Sequence, residues 1–288
     1  MVSLNEKYNL LNKKSNTLLY RRWYDNIGDC IDGLAPVELK GKWGCINKTG
    51  KEVIPFKYDW VTEFTDGLAR VVLNHKFGFI DKTGNEAIPC KYDNAQEFKE
   101  GLAKVELNDK WGFIDKTGRE ICPIKYDDVY EFKEGFAKVE LNEKYGFIDK
   151  TGREVVPCKY DWVDFFIDGL AEVSLNSKWG FIDTSGREVI PCKYDGADDF
   201  SEGLGRVHLN NKWGFVDKSG KEVIPLKYDY TTSFRDGFAQ VCFNGAWSYI
   251  DKQGNWYVEK PSVLPESITK ITISDIRYMV NECINRLI

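Results

Sequence analysis

The stretch Leu102–Pro123, with the sequence LAKVELNDKWGFIDKTGREICP, decides how this chain folds. Apolar and charged residues alternate over Leu102–Leu107, which is the period of a β-strand with one buried face. A short polar turn, Asn108–Lys110, then precedes a second apolar segment. The first half of the stretch therefore predicts a β-hairpin.

The second half of the stretch adds a third strand. Trp111 and Phe113 share one strand face while Ile114 lies on the other, so this strand is predicted to be covered on both sides. Asp115–Gly118 predicts a type I turn, in which the aspartate hydrogen-bonds the backbone and the glycine supplies a positive φ. The third strand is predicted to be short and to end at Pro123, which cannot donate to a ladder. The whole stretch predicts a three-stranded antiparallel meander.

This pattern recurs every 34 residues, which indicates one supersecondary unit stacked on copies of itself. Residues 1–258 are predicted to form eight such all-β units, the first of them a degenerate copy over residues 1–23, with Ser15 in place of the turn glycine. The signature aromatic residue of the second strand stands at Trp43, Phe77, Trp111, Tyr145, Trp179, Trp213 and Trp247.

Between the units run connectors that begin with Tyr-Asp and end in an acidic residue and a glycine. Each connector is predicted as a fourth short strand or a packed loop, closed by a tight turn. Residues 259–288 form a separate extension, in which a strand over 267–273 and an amphipathic helix over 274–288 are predicted. That helix is interpreted as an end cap, with a second contact to a partner as the alternative.

The composition narrows the range of possible functions. The net charge of −5, from 45 acidic and 40 basic residues, argues against general binding to nucleic acid or to a membrane surface. The start of the sequence has no signal-peptide pattern and no stretch approaches a membrane span, so we expect a cytoplasmic protein. The eight cysteines are dispersed without a CxxC pair and are interpreted as small apolar residues. No metal and no cofactor are predicted.

The segment Lys110–Glu120, KWGFIDKTGRE, followed by Pro-x-Lys-Tyr-Asp at 123–127, resembles the bacterial WG (KWG) repeat family. The resemblance covers about nine tenths of the chain and implies a β-structured interaction module without catalytic residues to transfer. Two shapes fit such units: a closed β-propeller-like ring, which we favour, and an open β-superhelix. A compact ring of this length predicts a radius of gyration of about 19 Å, and an open superhelix a larger value.

Binding is expected at the positions that vary between copies, since positions common to all copies serve the shared turns and core. The connector residues one and three places after Tyr-Asp exchange aromatic, acidic, amide and glycine residues. We predict that they form one rim and bind another protein, as aromatic residues mixed with acids commonly do. The candidate partner-binding residues are Trp60, Asp128, Tyr130, Trp162, Asp164 and Tyr230.

Two other functions stay open. Exposed aromatics with acids and amides also suit a carbohydrate-binding module, and paired carboxylates would suit a hydrolase. The histidines, His75 in a predicted turn and His208 in a predicted strand, lie in no nucleophile or metal-ligand motif. The prediction is therefore a non-enzymatic scaffold.

Overall fold

The structure is a computed structural model that describes residues 23–258 and, before them, the backbone of four short strands. These four strands pair as two separate two-stranded sheets, β1 with β2 and β3 with β4. The expected eighth unit, over residues 1–23, is therefore not confirmed, and this copy lacks the glycine that closes the turn in the others. The strand predicted over 267–273 and the helix predicted over 274–288 lie outside the described residues. The four strands are β1 (Val2–Leu4), β2 (Lys7–Asn9), β3 (Leu11–Asn12) and β4 (Thr17–Leu18).

Seven four-stranded antiparallel sheets follow, each ordered as in the chain. Sheet 1 contains β5 (Asn26–Ile27), β6 (Leu34–Leu39), β7 (Lys42–Asn47) and β8 (Glu52–Tyr58). Sheet 2 contains β9 (Trp60–Thr65), β10 (Leu68–Leu73), β11 (Lys76–Asp81) and β12 (Glu86–Tyr92). Sheet 3 contains β13 (Asn94–Ala95), β14 (Leu102–Leu107), β15 (Lys110–Asp115) and β16 (Glu120–Tyr126). Sheet 4 contains β17 (Asp128–Val129), β18 (Phe136–Leu141), β19 (Lys144–Asp149) and β20 (Glu154–Tyr160).

The last three sheets repeat the arrangement. Sheet 5 contains β21 (Trp162–Val163), β22 (Leu170–Leu175), β23 (Lys178–Asp183) and β24 (Glu188–Tyr194). Sheet 6 contains β25 (Gly196–Ser201), β26 (Leu204–Leu209), β27 (Lys212–Asp217) and β28 (Glu222–Tyr228). Sheet 7 contains β29 (Tyr230–Thr231), β30 (Phe238–Phe243), β31 (Ala246–Asp251) and β32 (Trp256–Tyr257). The connector thus opens each sheet as its first strand, as one of the two sequence interpretations predicted.

The chain divides into two compact units. Unit 1 comprises Met1–Glu143 and Phe147–Glu154, and unit 2 comprises Lys144–Gly146 and Val155–Ile288. Sheets 1–3 belong to unit 1 and sheets 5–7 to unit 2, while the boundary runs through the residues of sheet 4.

The turns of sheet 6 show why the sequence folds into this unit. Asn210 and Asn211 have φ values of 51° and 60°, the left-handed values of a two-residue type I′ hairpin turn. At the next turn, Oδ1 of Asp217 accepts hydrogen bonds from the backbone N–H groups of Ser219 and Lys221 at 2.9 and 3.1 Å. Gly220 closes this turn with a φ of 82°. The aspartate-to-glycine turn predicted from the sequence is confirmed.

The last strand of each of the first six sheets differs from the prediction. In sheet 6 it does not end at its proline but continues through Pro225 to Tyr228. A proline is tolerated there because β28 is an edge strand of its sheet and needs no outward N–H bond. Between the register pairs Trp213–Tyr228 and Phe215–Ile224 the strand bulges over Gly214. The bulge brings the Lys-Tyr of the repeat into the sheet instead of the connector.

Successive sheets pack face to face inside each unit. In unit 2, Phe215, Ile224 and Tyr228 of sheet 6 share a buried cluster with Ala239 and Val241 of sheet 7. Equivalent clusters join sheets 1 and 2, and sheets 2 and 3, in unit 1. In these clusters the alanine and valine of the second strand face the preceding sheet. The residue between them contacts the following sheet, as Arg70 and Lys104 do. In the part of the chain that the structure describes, no helix is long and apolar enough to cross a membrane.

Candidate interaction surface

Variable side chains meet at the seams between successive sheets. We call a seam the place where three side chains of two successive sheets meet. The first sheet contributes the residue just before the valine of its second strand and the signature aromatic of its third strand. The next sheet contributes the first residue of its connector. At one seam of unit 1, Nζ of Lys104 lies 4.2 Å from the ring centroid of Trp111 and 2.6 Å from Oδ1 of Asp128. Such a contact combines a cation–π interaction with an ion pair. The variable connector residue is therefore matched to its neighbours.

Three predicted binding residues lie in unit 1. The ring of Trp60 packs at 4.6 Å from that of Trp43 and remains 46% exposed. Asp128 is held by Lys104, as described above. Tyr130 is half-buried, and Nζ of Lys138 lies 4.2 Å from its ring centroid. The structure thus places Asp128 and Tyr130 in cationic surroundings, whereas Trp60 lies against another aromatic ring.

The other three predicted residues lie in unit 2. The ring of Trp162 is 5.8 Å from that of Tyr145 and 43% exposed. Oδ1 of Asp164 accepts a hydrogen bond from the backbone N–H of Phe165 at 2.7 Å. Tyr230, 44% exposed, lies between two tryptophans. The sequence argument that no shared packing dictates these positions is only partly right, because Trp60, Trp162 and Tyr230 each pack on a signature ring while keeping much of their surface exposed.

Unit 2 contains a continuous series of rings, which we name the aromatic row: His208, Trp213, Tyr230 and Trp247. The imidazole of His208 stacks on Trp213 at 4.8 Å, and Tyr230 lies 6.1 Å from Trp213 and 5.9 Å from Trp247. Trp247 is 54% exposed. Cζ of Arg206 lies 4.3 Å from the Trp213 ring and 5.4 Å from the Tyr230 ring, so a guanidinium is part of this surface.

Sequence reasoning missed most of this row. It assigned Trp213 and Trp247 to the shared core because they recur with the period of the repeat. It placed His208 correctly in a strand but took it for an ordinary residue. One signal was present: Tyr230 and Trp247 are separated by 17 residues, as Trp43 and Trp60 are. The repeat alone does not show that this spacing brings the rings together.

Beside the aromatic row, four carboxyl groups lie together in unit 2. The pKa of Glu172 is raised to about 8, mainly by burial and also by the negative charges of Asp199, Asp198 and Asp164. Arg206 pairs with Asp198, with its Nε 2.5 Å from Oδ2. At the position of Glu172, between alanine and valine, other copies carry Arg70, Lys104 and Lys138. Glu172 is therefore a partly buried acid at a position that is otherwise commonly basic.

Glu172→Gln should remove a pH dependence of stability. Because the pKa of Glu172 is higher in the folded state than its ordinary 4.5, folding stability is greatest below pH 4.5 and falls as the pH rises to about 8. The glutamine variant lacks this fall. Because solvent reaches part of the carboxyl, we expect it to exceed the parent at pH 8 by about 1–2 kcal/mol in the free energy of unfolding, with no gain at pH 4.5.

Urea unfolding at pH 4.5, 6 and 8 measures this difference. Glu222→Gln, at an exposed carboxyl of the same unit, is the matched control and should follow the parent curve. An equal gain for Glu172→Gln at every pH would show that packing, and not ionisation, is responsible.

The aspartates of the repeated Lys-Tyr-Asp triplet do not assemble a cation site. Asp59 accepts hydrogen bonds from Nζ of Lys42 at 2.5 Å and from the backbone N–H of Asn74 at 2.8 Å. Lys57, Lys125 and Lys159 of the triplet pair with a glutamate of the next copy, Lys125 with Glu154 at 2.6 Å. Among the described residues, no group of three or more His, Cys, Asp or Glu side chains could hold a metal ion.

Comparison with known proteins identifies the repeat. The family model of the WG-containing repeat matches seven consecutive segments between residues 24 and 247. The chain belongs to the WG-repeat family. No curated protein matches this WG-repeat chain.

Solved structures resemble the WG-repeat chain only weakly. A eukaryotic initiation factor is 14% identical over 88% of this chain and 84% of its own, with a TM-score of 0.36. Kluyveromyces lactis Hsv2p is 11% identical over 78% and 92%, with a TM-score of 0.30. The dihydro-heme d1 dehydrogenase NirN in complex with DHE is 11% identical over 88% and 70%, with a TM-score of 0.32. These likenesses carry no functional argument.

Proposed function

We propose that this WG-repeat protein is a non-enzymatic, cytoplasmic scaffold that binds another protein through the exposed side chains of its seams. The observation that carries the proposal is the aromatic row of unit 2, where Tyr230 and Trp247 are 44% and 54% exposed beside Arg206. Tryptophan, tyrosine and arginine are the residues most enriched in protein-binding hot spots. The repeated residues build the support, and the seam residues provide the contact area.

The cysteines support the proposed compartment. Cys45 and Cys122 are buried and free, and burial raises the pKa of each thiol to about 12. Such thiols serve as apolar core residues, which suits a reducing environment. The closed ring favoured from the sequence and a partner contact by residues 274–288 stay part of the proposal, the first tested by the radius of gyration given above.

Replacement of the exposed rings should abolish capture of the partner. We expect Tyr230→Ala with Trp247→Ala, and separately Trp60→Ala with Trp162→Ala, to weaken binding by a factor of about 30 or more, since hot-spot truncations cost about 2 kcal/mol or more. Pull-down from the source cell with mass spectrometry identifies the partner, and titration with the purified partner gives the dissociation constants.

The matched control is Val223→Ala with Ile167→Ala, two apolar residues that are 37% and 38% exposed outside the seams. This variant should bind like the parent. Circular dichroism melting checks that each variant remains folded. Unchanged capture by both aromatic double variants would refute the proposal.

Carbohydrate binding is the second candidate, because sugars also stack on exposed tryptophan and tyrosine rings. The geometry favours the protein partner. Tyr230 meets Trp213 and Trp247 at interplanar angles of 63° and 62°, so these rings do not share one flat stacking platform. A glycan array distinguishes the two functions: binding that the Tyr230→Ala and Trp247→Ala double variant loses would establish the carbohydrate module.

The hydrolase with paired carboxylates rests on Glu172, whose raised pKa is a property that a general acid needs. The Glu172→Gln variant tests it directly with aryl glycoside substrates. The scaffold proposal predicts that neither the parent nor Glu172→Gln hydrolyses these substrates. Hydrolysis by the parent that is lost in Glu172→Gln would establish the hydrolase instead.

A further inference from the structure

Two arginines at equivalent places in the repeat are bound differently. Each is the residue just before the valine of a second strand: Arg70 in sheet 2 and Arg206 in sheet 6. Nη1 of Arg70 donates to the carbonyl oxygen of Ala95 at 2.6 Å, and Nη1 of Arg206 donates to that of Thr231. In each case the acceptor lies 25 residues further along the chain, at the start of the next sheet.

The two arginines differ in the hydrogen bonding of Nε. Asp198, eight residues before Arg206, accepts a hydrogen bond from its Nε at 2.5 Å. Thr62 holds the equivalent place before Arg70, and its hydroxyl oxygen accepts only from the backbone N–H of Arg70, at 3.1 Å. Nε of Arg70 is buried and has no hydrogen-bond partner among the described residues. Buried donors on charged groups are normally satisfied, so this nitrogen lacks an acceptor.

A cavity of about 370 Å³ adjoins Arg70 in unit 1. Its apolar lining comes from Phe98, Leu102, Phe113 and Phe132. This volume falls in the range of small-molecule sites, which combine an apolar wall with a few polar groups.

The other cations of the cavity are already paired. Lys99 pairs with Glu131 and Lys150 with Glu100, both at 2.6 Å. Lys104 pairs with Asp128 at 2.6 Å. Arg70 is therefore the lining cation for which the described residues provide no carboxylate.

We propose that this cavity binds a small organic carboxylate, with the carboxylate paired with the guanidinium of Arg70 and the apolar body against the phenylalanine rings. Asp198 in unit 2 is the precedent, because it shows that a carboxylate pairs with the arginine at this place in the repeat. A monoanion suits the site better than a phosphate because Glu97, at the edge of the cavity, adds a negative charge. The site is in unit 1 and is independent of the aromatic row in unit 2.

The probe is 4-phenylbutanoate, titrated into the full chain by isothermal calorimetry. We expect a dissociation constant on the order of 1 mM or lower, as the size of the ligand allows. The amide, 4-phenylbutanamide, should bind at least ten times more weakly because it lacks the charge that pairs with Arg70. Equal binding of acid and amide would overturn the proposal.

Thr62→Asp is the decisive variant, because it gives Arg70 the internal carboxylate that Arg206 already has. It should weaken 4-phenylbutanoate binding at least tenfold, and Arg70→Gln should do the same. Thr62→Val, which keeps the shape of threonine and introduces no charge, should bind 4-phenylbutanoate within about twofold of the parent. Asp198→Thr in unit 2 should leave this binding unchanged. Urea unfolding verifies that each variant is folded.

Equal binding by Thr62→Asp and the parent would overturn the proposal even if Arg70→Gln failed to fold. A second arm identifies the source of the carboxylate. Acetyl-Leu-Phe with a free C-terminus is compared with its C-terminal amide. Binding of the free peptide at least ten times tighter than 4-phenylbutanoate would overturn the small-molecule source and assign the cavity to a peptide C-terminus.

Discussion

Gly214→Ala is expected to lower the free energy of unfolding by about 3 kcal/mol, because the added methyl group would collide with backbone that cannot move aside. An ideal Cβ at Gly214 would lie 2.6 Å from the carbonyl oxygen of Ile224 and 2.8 Å from the backbone nitrogen of Leu226. Both atoms belong to the bulge of β28, which folds over the glycine. Relief of the clash would require the last strand to leave the sheet. Urea unfolding of the parent and the variant measures the loss.

Gly196→Ala is the matched control in the first strand of the same sheet. Its Cβ would meet only Cβ and Nδ1 of His208, each at 3.8 Å, which is ordinary contact. We expect a change within about 0.5 kcal/mol, as for most surface substitutions. Comparable losses for the two variants would contradict the clash as the cause.

The chain contains a natural exception that supports this reason. Sheet 7 has Ser248 where the first six sheets have the signature glycine. Its last strand, β32, pairs as Tyr249–Tyr257 and Ile250–Trp256 without that bulge. The hydroxyl of Ser248 donates to the carbonyl oxygen of Tyr257 at 2.6 Å. A side chain is tolerated after the signature aromatic where the last strand does not fold over it.

Tyr228→Ala is expected to cost about 3–5 kcal/mol, the range for loss of a fully buried aromatic ring. Tyr228 is completely buried, and its ring contacts Trp256 at 5.6 Å and Phe243 at 6.2 Å between centroids. The truncation would leave a cavity between sheets 6 and 7. Thermal and urea unfolding, monitored by tryptophan fluorescence, measure the loss.

The phenol oxygen makes a separate prediction. The hydroxyl of Tyr228 is buried without a hydrogen-bond partner among the described residues, and burial raises its pKa to about 12. Tyr228→Phe should therefore leave stability unchanged or raise it by up to about 1 kcal/mol, because an unsatisfied polar group is removed. The equivalent Tyr160 donates to Oε1 of Glu188 at 3.1 Å, so Tyr160→Phe should cost about 1 kcal/mol. A loss at Tyr228 as large as that at Tyr160 would contradict the assignment.

These residues explain why function is sought at the seams. The signature glycine, the buried tyrosine and the turn aspartate each meet a need that recurs in the sheets, and substitution there threatens the fold. Seam residues such as Trp60 and Tyr230 satisfy only their immediate neighbours and keep much of their surface exposed. A binding surface can diverge at such positions without loss of the scaffold.

The candidate site shows where sequence reasoning ends. Trp60, Trp162 and Tyr230 were found because they vary between copies, and the structure leaves all three substantially exposed. Trp247 and Arg206 were missed because one follows the period of the repeat and the other lies in a regular strand. Asp128 was predicted as a candidate partner-binding residue, and the structure pairs it with Lys104. Variation between copies shows that a position does not serve the common core. It does not show which neighbouring residue the side chain contacts.

The sequence by itself determined the 34-residue period, the antiparallel strands and the turns closed by aspartate and glycine, because these depend on residues close together in the chain. Only the tertiary structure decided that the last strand bulges past Pro225 over Gly214 and that the rings of Trp43 and Trp60 pack against each other across a seam. It alone showed that the side chain eight residues before each arginine lies beside it, so that Asp198 binds the guanidinium of Arg206 while Nε of Arg70, beside Thr62, has no partner among the described residues. Strands and turns depend on residues within one repeat and can therefore be predicted from the sequence. Contacts between copies depend on how successive sheets pack together.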